Sequence, residues 1–313
     1  MLRAASSTAL MALLAASALS CNSMPGRVLS GNTGALFGGP APVANKVREP
    51  YRKDARLAVL WVGHATALVQ IDDKQILTDP VFTSTVGLLA ARLVEPGLDP
   101  EHVPPLSAVL VSHTHFDHLS LGSLEMIEEK TPVLFVPRGA LPYVPDFAFD
   151  TIELSTWQRW EHDGLRITAV PVKHGGGRYG VDIALGWGGF TGYVVEYHGI
   201  TVYFGGDTAY DRKVFTETRA RFPAIDLALM PIAPIGPRDF MHSRHVDPAE
   251  ALEACEELGA KWMVPIHFDT FINSSDEPGQ AVSELKRVMA ARRIAPGKVH
   301  ILAPGEQRIL LGR

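Results

Sequence analysis

The segment His113–His118 has the sequence HTHFDH and concentrates residues that could bind metal ions. Neutral imidazoles and carboxylates are the usual nitrogen and oxygen ligands of zinc and related ions. In an extended chain His113 and His115 point to the same side, because successive side chains alternate. Asp117 and His118 then fall on a turn, where they can face a second ion. The spacing predicts two metal half-sites, and a polar loop rich in histidine by chance is the alternative.

Buried strands must position this segment and the other polar residues that could join it. The preceding residues, Ala108 to Ser112, form a short run of apolar and small side chains, which predicts a buried strand. Further predicted strands at Leu57–Val62, Gln75–Thr78, Leu165–Val172, Thr201–Phe204 and Trp262–Pro265 end next to His64, Asp79, His174, Asp207 and His267, respectively. Strands alternate with helices along the chain, with Val299–Leu302 as the last predicted strand, and this order is typical of an α/β protein.

His245 directly precedes a predicted helix in the sequence HVDPAEA. Asp247 fits the N-cap, Pro248 the first helical position and Glu250 the third. Backbone N–H groups at such an end favour bound anions. His245 could therefore hydrogen-bond a substrate phosphate or protonate a leaving alkoxide, and a structural or capping role is the alternative.

The loop Gly175–Gly189 contains seven glycines together with Tyr179 and Trp187. Aromatic residues in a glycine-rich loop beside a potential ligand indicate a mobile wall of a substrate pocket. We therefore expect Tyr179 and Trp187 to line that pocket. A flexible surface loop without a role in binding is the alternative.

The amino terminus differs in composition from the rest of the chain. Residues 1–20 contain a short apolar stretch and predict a signal peptide. The following Cys21 resembles the lipidated cysteine of bacterial lipoproteins, although Ala18 stands where leucine is usual. Asn22 then favours the outer membrane, facing the periplasm, and a secreted or soluble periplasmic protein is the alternative. Residues 21–55 are expected to be a tether and N-terminal arm, and residues 56–313 one domain.

Composition limits the classes of function. Of the 313 residues, 46% are hydrophobic and 20% charged, which is typical of a globular protein with a sizeable core. The formal net charge of −5 offers no basic surface for nucleic acid. No nucleic-acid partner is therefore expected.

Four motifs together resemble the metallo-β-lactamase superfamily of binuclear metallohydrolases. These are WVGHAT, LTDPVF, HTHFDH and HVDPAEA. With the WGGF stretch, they most resemble the branch that contains N-acylphosphatidylethanolamine-hydrolysing phospholipase D and ascorbate-6-phosphate lactonase. The resemblance implies an αββα sandwich over residues 56–313, with two sheets face to face and metal ligands on loops along one edge.

The resemblance also implies roles for individual residues, carried over position by position. The first ion would be bound by His113, His115 and His174, the second by Asp117, His118 and His267, and Asp207 would bridge the two. His64 and Asp79 would lie just outside these ligands, with Asp79 orienting a metal-binding histidine. Asp117 and His245 are the expected catalytic residues. Two divalent ions are expected, with zinc foremost and manganese or iron also compatible with the donors.

The expected function is hydrolysis by a phosphodiesterase of phospholipase D type, acting on lipids like N-acylphosphatidylethanolamine. A lipid anchor on Cys21 would hold such an enzyme at a membrane. One alternative is a lactonase acting on a sugar-phosphate lactone. Another is a non-catalytic envelope lipoprotein that keeps a metal fold for structure, and the presence of all seven expected ligands argues against it.

Overall fold

The computed structural model describes residues 38–44, 46–87, 90–179, 181–184 and 189–313. The predicted signal peptide, Cys21 and Trp187 lie outside the described residues and stay predictions. The described end of the predicted arm lies against the domain, since the amides of Ala41 and Val47 donate to the carbonyls of Leu93 and Gly97 at 2.8 and 3.3 Å. Within the described ranges, no helix combines the length and apolarity needed to cross a bilayer.

The first sheet has seven strands. They are β1 (Ala55–Gly63), β2 (Thr66–Ile71), β3 (Lys74–Thr78), β6 (Ala108–Leu110), β7 (Val133–Pro137), β8 (Asp150–Leu154) and β15 (Gln307–Gly312). Their spatial order is β15-β1-β2-β3-β6-β7-β8, antiparallel up to β3 and parallel from β3 to β8. A separate small pair joins β4 (Thr85–Val86) and β5 (Ala90–Ala91).

The second sheet has six strands. They are β9 (Arg159–His162), β10 (Leu165–Val170), β11 (Gly192–Tyr197), β12 (Ile200–Phe204), β13 (Leu227–Pro231) and β14 (Trp262–Ile266). The order is β14-β13-β12-β11-β10-β9, and β12, β13 and β14 run parallel. Parallel strands end at the same edge of a sheet, so the residues that follow β12 and β14 are brought together there.

Helices cover the outer faces of both sheets. They are α1 (Leu121–Met126), α2 (Val181–Ala184), α3 (Arg212–Arg221), α4 (Arg238–Met241), α5 (Pro248–Leu258) and α6 (Gln280–Ala291). Between the sheets, Val69 and Ile76 of the first sheet share a core with Val195 and Val202 of the second. Leu124 of α1 packs in a separate cluster on the outer face of the first sheet. These layers confirm the predicted αββα sandwich.

The start of α5 follows the sequence prediction closely. The Asp247 carboxylate accepts hydrogen bonds from the amides of Ala249 and Glu250 at 2.9 Å each, and Glu250 completes a capping box. Gly259 ends the helix at φ +68°, in the left-handed region that glycine adopts without strain. Cys255 on this helix is buried and its thiol is free, as expected of a small core side chain.

One predicted strand is wrong. Val299 makes only an isolated bridge to Met263, and the rest of Val299–Leu302 forms no strand. The last strand is β15, which adds to the edge of the first sheet beside β1.

Candidate metal centre

The first group of potential ligands lies where β6 and β10 end. Nε2 of His113 and Nδ1 of His115 are 2.8 Å apart. The ring of His174, which follows β10, lies 4.7 Å from that of His113 between centroids. One potential ligand atom from each of these three residues lies within 4.8 Å of the other two. The structure therefore brings together the three residues predicted to bind the first ion.

A second group lies beside the first. The Nε2 atoms of His118 and His267 are 3.2 Å apart. Oδ2 of Asp117 is 3.8 Å from each of them. These three residues are the ones predicted to bind the second ion. His64 completes a set of four ligand atoms that all lie within 4.8 Å of one another.

Asp207 stands between the two groups. Its Oδ2 lies 3.8 Å from Nε2 of His174 and 3.3 Å from Nε2 of His118, whereas its Oδ1 lies 3.2 Å from Nε2 of His267. The preceding Gly206 has φ +55°, and a Cβ there would lie 2.3 Å from Cβ of Ser112. Glycine is thus required for the close approach that carries this carboxylate between the groups.

Outward hydrogen bonds orient the imidazole rings. Nδ1 of His174 lies 2.9 Å from the carbonyl of Arg244, and Nδ1 of His267 lies 3.0 Å from the carbonyl of Ala233. Nδ1 of His118 lies 2.5 Å from Oδ2 of Asp79. Because a carbonyl or carboxylate only accepts, each of these Nδ1 atoms carries a proton and leaves Nε2 facing the centre. This is the usual arrangement of metal-binding histidines.

Asp79 extends this control to a second histidine through Ser112. Its carboxylate accepts the backbone N–H of Ser112 at 2.7 Å and the Ser112 hydroxyl at 2.6 Å. The same hydroxyl oxygen lies 2.9 Å from Nδ1 of His113 and, because its own proton is donated to Asp79, it can accept a hydrogen bond from that nitrogen. Asp79 therefore sets the tautomers of both His113 and His118. The structure places it where an orienting residue was predicted.

The donors and their surroundings fit divalent cations. Nε2 of His174 and Oδ1 of Asp207 are buried without a hydrogen-bond partner. Burial lowers the pKa of His118, but the carboxylates of Asp207, Asp79 and Asp117 outweigh it and hold that pKa well above its usual range. The centre thus attracts positive charge and presents unpartnered nitrogen and oxygen lone pairs. Zinc, manganese and iron all accept such donors.

His64 contacts the second group from its outer side. Its Nε2 lies 3.1 Å from Oδ2 of Asp117, and its side chain is 2% exposed. Burial and the neighbouring His267 lower the pKa of His64 to about 3, which makes the ring neutral. His64 and His267 adopt φ of +54° and +66°. Such conformations are costly for residues other than glycine and are often retained at functional sites.

His245 enters the centre from the segment between α4 and α5. Its amide donates to the carbonyl of Met241 at 2.7 Å, which fixes the backbone. Its Nδ1 lies 3.6 Å from Oδ2 of Asp207 and is buried without a hydrogen-bond partner. Burial lowers the pKa of this imidazole to about 3. The ring therefore faces the centre, and its distance from Asp207 also permits a role as a ligand.

The predicted pocket wall is described in part. Tyr179 is 67% exposed and packs edge-on against Phe116, with the ring centroids 5.8 Å apart. Phe116 itself lies between two potential ligands, His115 and Asp117. Tyr179 is thus at the rim of the centre, and Trp187 is outside the described residues.

Ser112 and Arg178 also contact the ligand-bearing segment, and their sequence context does not reveal these contacts. Ser112 resembles any small residue at the end of a strand. Arg178 resembles a solvated charge in a glycine-rich loop. Their proximity to HTHFDH and to His174 in the sequence is the only available signal.

Asp79→Asn is expected to preserve the fold and to lower metal affinity or activity about 10–100-fold, the range for outer partners of metal ligands. If the asparagine side chain points its NH₂ group towards His118, that group donates to Nδ1 of the ring, and the ring proton moves to Nε2, where a metal ion should bind. If the side chain is turned the other way, its NH₂ group faces the backbone N–H of Ser112, and two donors oppose each other. Competition with a chelator and turnover of the metal-loaded protein measure the loss.

Asp163→Asn is the matched control. Asp163 lies in the exposed turn between β9 and β10 and, like Asp79, has a positive φ, +47°. The same substitution there should leave metal affinity unchanged. If Asp79→Asn behaved like this control, Asp79 would be an ordinary turn residue.

Comparison with protein families gives one match that spans most of the domain. The family model for the beta-lactamase superfamily domain matches residues 74–268, which include the ligand segment, Asp207, His245 and His267. An uncharacterized protein of Mycobacterium tuberculosis (strain ATCC 25618 / H37Rv) is 32% identical over 283 residues, covering 86% of this chain and 72% of the relative.

A named relative and a solved structure agree with this match. The N-acyl-phosphatidylethanolamine-hydrolyzing phospholipase D 1 of Caenorhabditis elegans is 29% identical over 270 residues, covering 80% of this chain and 75% of the relative. A metallo hydrolase from the archaeon Ignicoccus hospitalis aligns with a TM-score of 0.59 at 22% identity, covering 80% of this chain and 97% of that structure. The structural similarity shows a shared fold.

Proposed function

The chain belongs to the metallo-β-lactamase superfamily of metal-dependent hydrolases, and from this membership we propose that it is a phosphodiesterase of phospholipase D type. The proposed substrates are lipids like N-acylphosphatidylethanolamine. Similarity to the C. elegans phospholipase supports this substrate class at 29% identity. The reaction would break the bond between phosphorus and the head-group oxygen, releasing a phosphatidate and an N-acylethanolamine.

The proposed roles of the residues follow from the contacts in the centre. Two divalent ions bound there would supply an activated water near neutral pH and Lewis-acid stabilisation of charge on the phosphoryl oxygens. The first group would hold one ion and the second group the other, and Asp207, which lies between the groups, would contribute to both. Asp79 holds a ring proton on Nδ1 of His118 and, through Ser112, on Nδ1 of His113, so that Nε2 of each ring would face an ion. His245 stands beside Asp207 and faces the place where substrate would bind.

Exposed aromatic side chains on the segments that carry or adjoin the proposed ligands are the observation that carries the choice of a lipid substrate. Phe116, within the ligand segment, is 37% exposed, and Tyr179, packed against it, is 67% exposed. Phe190, which forms an isolated bridge with His113, is 40% exposed, and Phe240, on the helix preceding His245, is 49% exposed. Exposed aromatic side chains near a binding site suit a substrate with apolar parts. A polar sugar-phosphate lactone gains less from such side chains.

The purified protein is expected to bind about two divalent ions per chain and to hydrolyse the lipid phosphodiester when loaded with them. Elemental analysis after expression in zinc- or manganese-supplied medium measures the ions. Turnover is compared for N-acylphosphatidylethanolamine in mixed micelles, for L-ascorbate 6-phosphate, which is itself a lactone, and for bis(p-nitrophenyl) phosphate. Chelator-treated protein, with and without restored metal, is the control.

The outcomes separate the candidate functions. Hydrolysis of the lactone without hydrolysis of either phosphodiester would identify a lactonase. Metal binding without turnover of any of the three substrates would favour the non-catalytic envelope protein. Absence of metal after expression in supplied medium would contradict the ligand assignment itself.

A further inference from the structure

Arg178 lies against the ligand segment His113–His118 with its guanidinium buried. The residue is 9% exposed, although arginine is rarely buried at all. Its Nη1 donates to the carbonyl of Thr114 at 3.2 Å and to the carbonyl of Leu119 at 2.7 Å. These two carbonyls bracket the part of the segment that carries His115, Asp117 and His118. One guanidinium nitrogen thus closes the loop that contains three proposed ligands.

Two more contacts tie the same loop to the Gly177 backbone and to the Arg178 side chain. The amide of Gly177 donates to Oγ1 of Thr114 at 2.8 Å, and Thr114 is fully buried. The guanidinium carbon lies 4.1 Å from the centroid of the Phe116 ring, in cation–π geometry. The loop is therefore held at its start, at its middle and just beyond its end by two successive residues of the glycine-rich loop.

Asp182 fixes Arg178 in turn. Its Oδ2 accepts the backbone N–H of Arg178 at 2.6 Å and the hydroxyl of Tyr143 at 2.8 Å, and its Oδ1 accepts the amide of Tyr179 at 2.8 Å. Asp182 is itself 6% exposed. The start of the glycine-rich loop is thus anchored to the domain, so that Arg178 presents its side chain from a fixed backbone.

We propose that Arg178 is a positioning residue for the metal centre, which holds His115, Asp117 and His118 in ligand geometry through their loop. Positioning by hydrogen bonds behind the ligands affects metal binding even though the positioning group never touches an ion. The inference rests on the proposed ligand set and not on the identity of the substrate.

The test measures metal binding by the full-length protein with Zn²⁺ or Co²⁺ as the only probe. Arg178→Met removes the donors and keeps an apolar side chain of similar length. We expect its affinity for metal, measured by chelator competition, to fall about 10–100-fold, as for other residues behind metal ligands. The visible absorption of the Co²⁺-loaded protein should also change, because the geometry of the ligands changes.

Arg178→Lys distinguishes an effect of the guanidinium geometry from an effect of the positive charge alone. Lysine keeps the positive charge but lacks the planar group that bonds two carbonyls while stacking on Phe116. We expect this variant to lose metal affinity nearly as much as Arg178→Met. Restoration of wild-type affinity by lysine would show that charge alone matters, and it would overturn the positioning role.

Arg221→Met is the matched control. The Arg221 guanidinium stacks on Trp157 at 3.8 Å from the ring centroid, on the exposed surface of α3. This substitution removes a similar contact away from the centre and should leave metal affinity unchanged. Unchanged affinity in both Arg178 variants would overturn the proposal.

Thermal unfolding measured with and without metal distinguishes a positioning role of Arg178 from a purely structural one. A ligand that binds only the folded protein raises its unfolding temperature. A positioning role predicts that the metal-free Arg178 variants unfold near the metal-free wild type, while the rise on adding metal shrinks. If both variants were unfolded without metal, Arg178 would be structural and the proposal wrong.

Wild-type protein that binds metal but does not hydrolyse lipid would refute the proposed substrate and leave this test intact.

Discussion

Asp207→Ala is expected to abolish hydrolysis and to release metal from both halves of the centre. Asp207 is the residue whose two oxygens reach both ligand groups, with Oδ2 3.8 Å from Nε2 of His174 in the first group and Oδ1 3.2 Å from Nε2 of His267 in the second. Burial raises the pKa of its carboxyl group, but His267, His118 and His245 outweigh that effect and hold the pKa well below its usual range. The carboxylate is therefore ionised where it contacts both groups.

The expected loss of activity exceeds roughly 100-fold, which is the largest loss typical of residues that only hydrogen-bond to metal ligands. Alanine removes the shared donor and leaves the surrounding imidazoles without the charge that offsets their repulsion. Elemental analysis should find fewer than the wild-type number of ions, and turnover should be lost for every substrate that the wild type hydrolyses.

Asp146→Ala is a control for the loss of one negative charge, because Asp146 is exposed in the loop before β8. Circular dichroism should show that both variants fold. Wild-type turnover or full metal content in Asp207→Ala would show that this carboxylate does not bridge the ions.

The seven proposed ligands could be predicted because each follows a recognisable strand. His113, Asp207 and His267 come just after β6, β12 and β14, whose residues are buried at nearly every position. Strand ends define the edge of a sheet, and polar residues there are candidates for a site. Family resemblance then gave their order. Local patterns together with this order were sufficient to place them on one edge.

Arg178 and Ser112 could not be predicted because their roles depend on contacts that sequence patterns do not encode. The carbonyls that accept from Arg178 lie 64 and 59 residues away in the chain. A buried arginine whose guanidinium donates to backbone carbonyls has the same local sequence as an exposed one. Ser112 matters because its hydroxyl lies between Asp79 and His113, and Asp79 is 33 residues away.

The misplaced last strand has a similar cause. Val299–Leu302 has the apolar composition of a strand, whereas β15 is partly exposed and its sequence, QRILLG, is mixed. Pairing with β1, which begins at Ala55, makes Gln307–Gly312 a strand. Edge pairing between the two ends of a domain is a tertiary effect, and it overrides local preference.

His245→Ala is expected to keep the full metal content and to lose roughly 10²-fold or more in turnover, the range of a general acid–base group. The count of proposed ligands is complete without this residue. Nδ1 of His245 is nevertheless buried and unpartnered, 3.6 Å from Oδ2 of Asp207, so the ring faces the centre without a structural bond. A side chain placed in this way is available to a substrate phosphate or to the leaving oxygen.

His242→Ala is the matched control, because His242 is an exposed imidazole three residues earlier in the same segment. It should retain both metal and turnover. Elemental analysis of His245→Ala decides whether the residue is a ligand: its ring lies within 4.8 Å of ligand atoms of His174 and Asp207. Loss of metal in that variant would contradict the proposed role and show that His245 is a metal ligand.

The leaving group then distinguishes the two remaining roles of His245. Hydrolysis of a lipid phosphodiester expels an alkoxide that must gain a proton, whereas nitrophenolate leaves without one. If His245 supplies that proton, His245→Ala should impair bis(p-nitrophenyl) phosphate hydrolysis much less than lipid hydrolysis. If the imidazole instead hydrogen-bonds the phosphoryl group, both substrates should lose turnover equally, because both present the same oxygens. Wild-type turnover on both would show that the ring, although it faces Asp207, takes no part in the reaction.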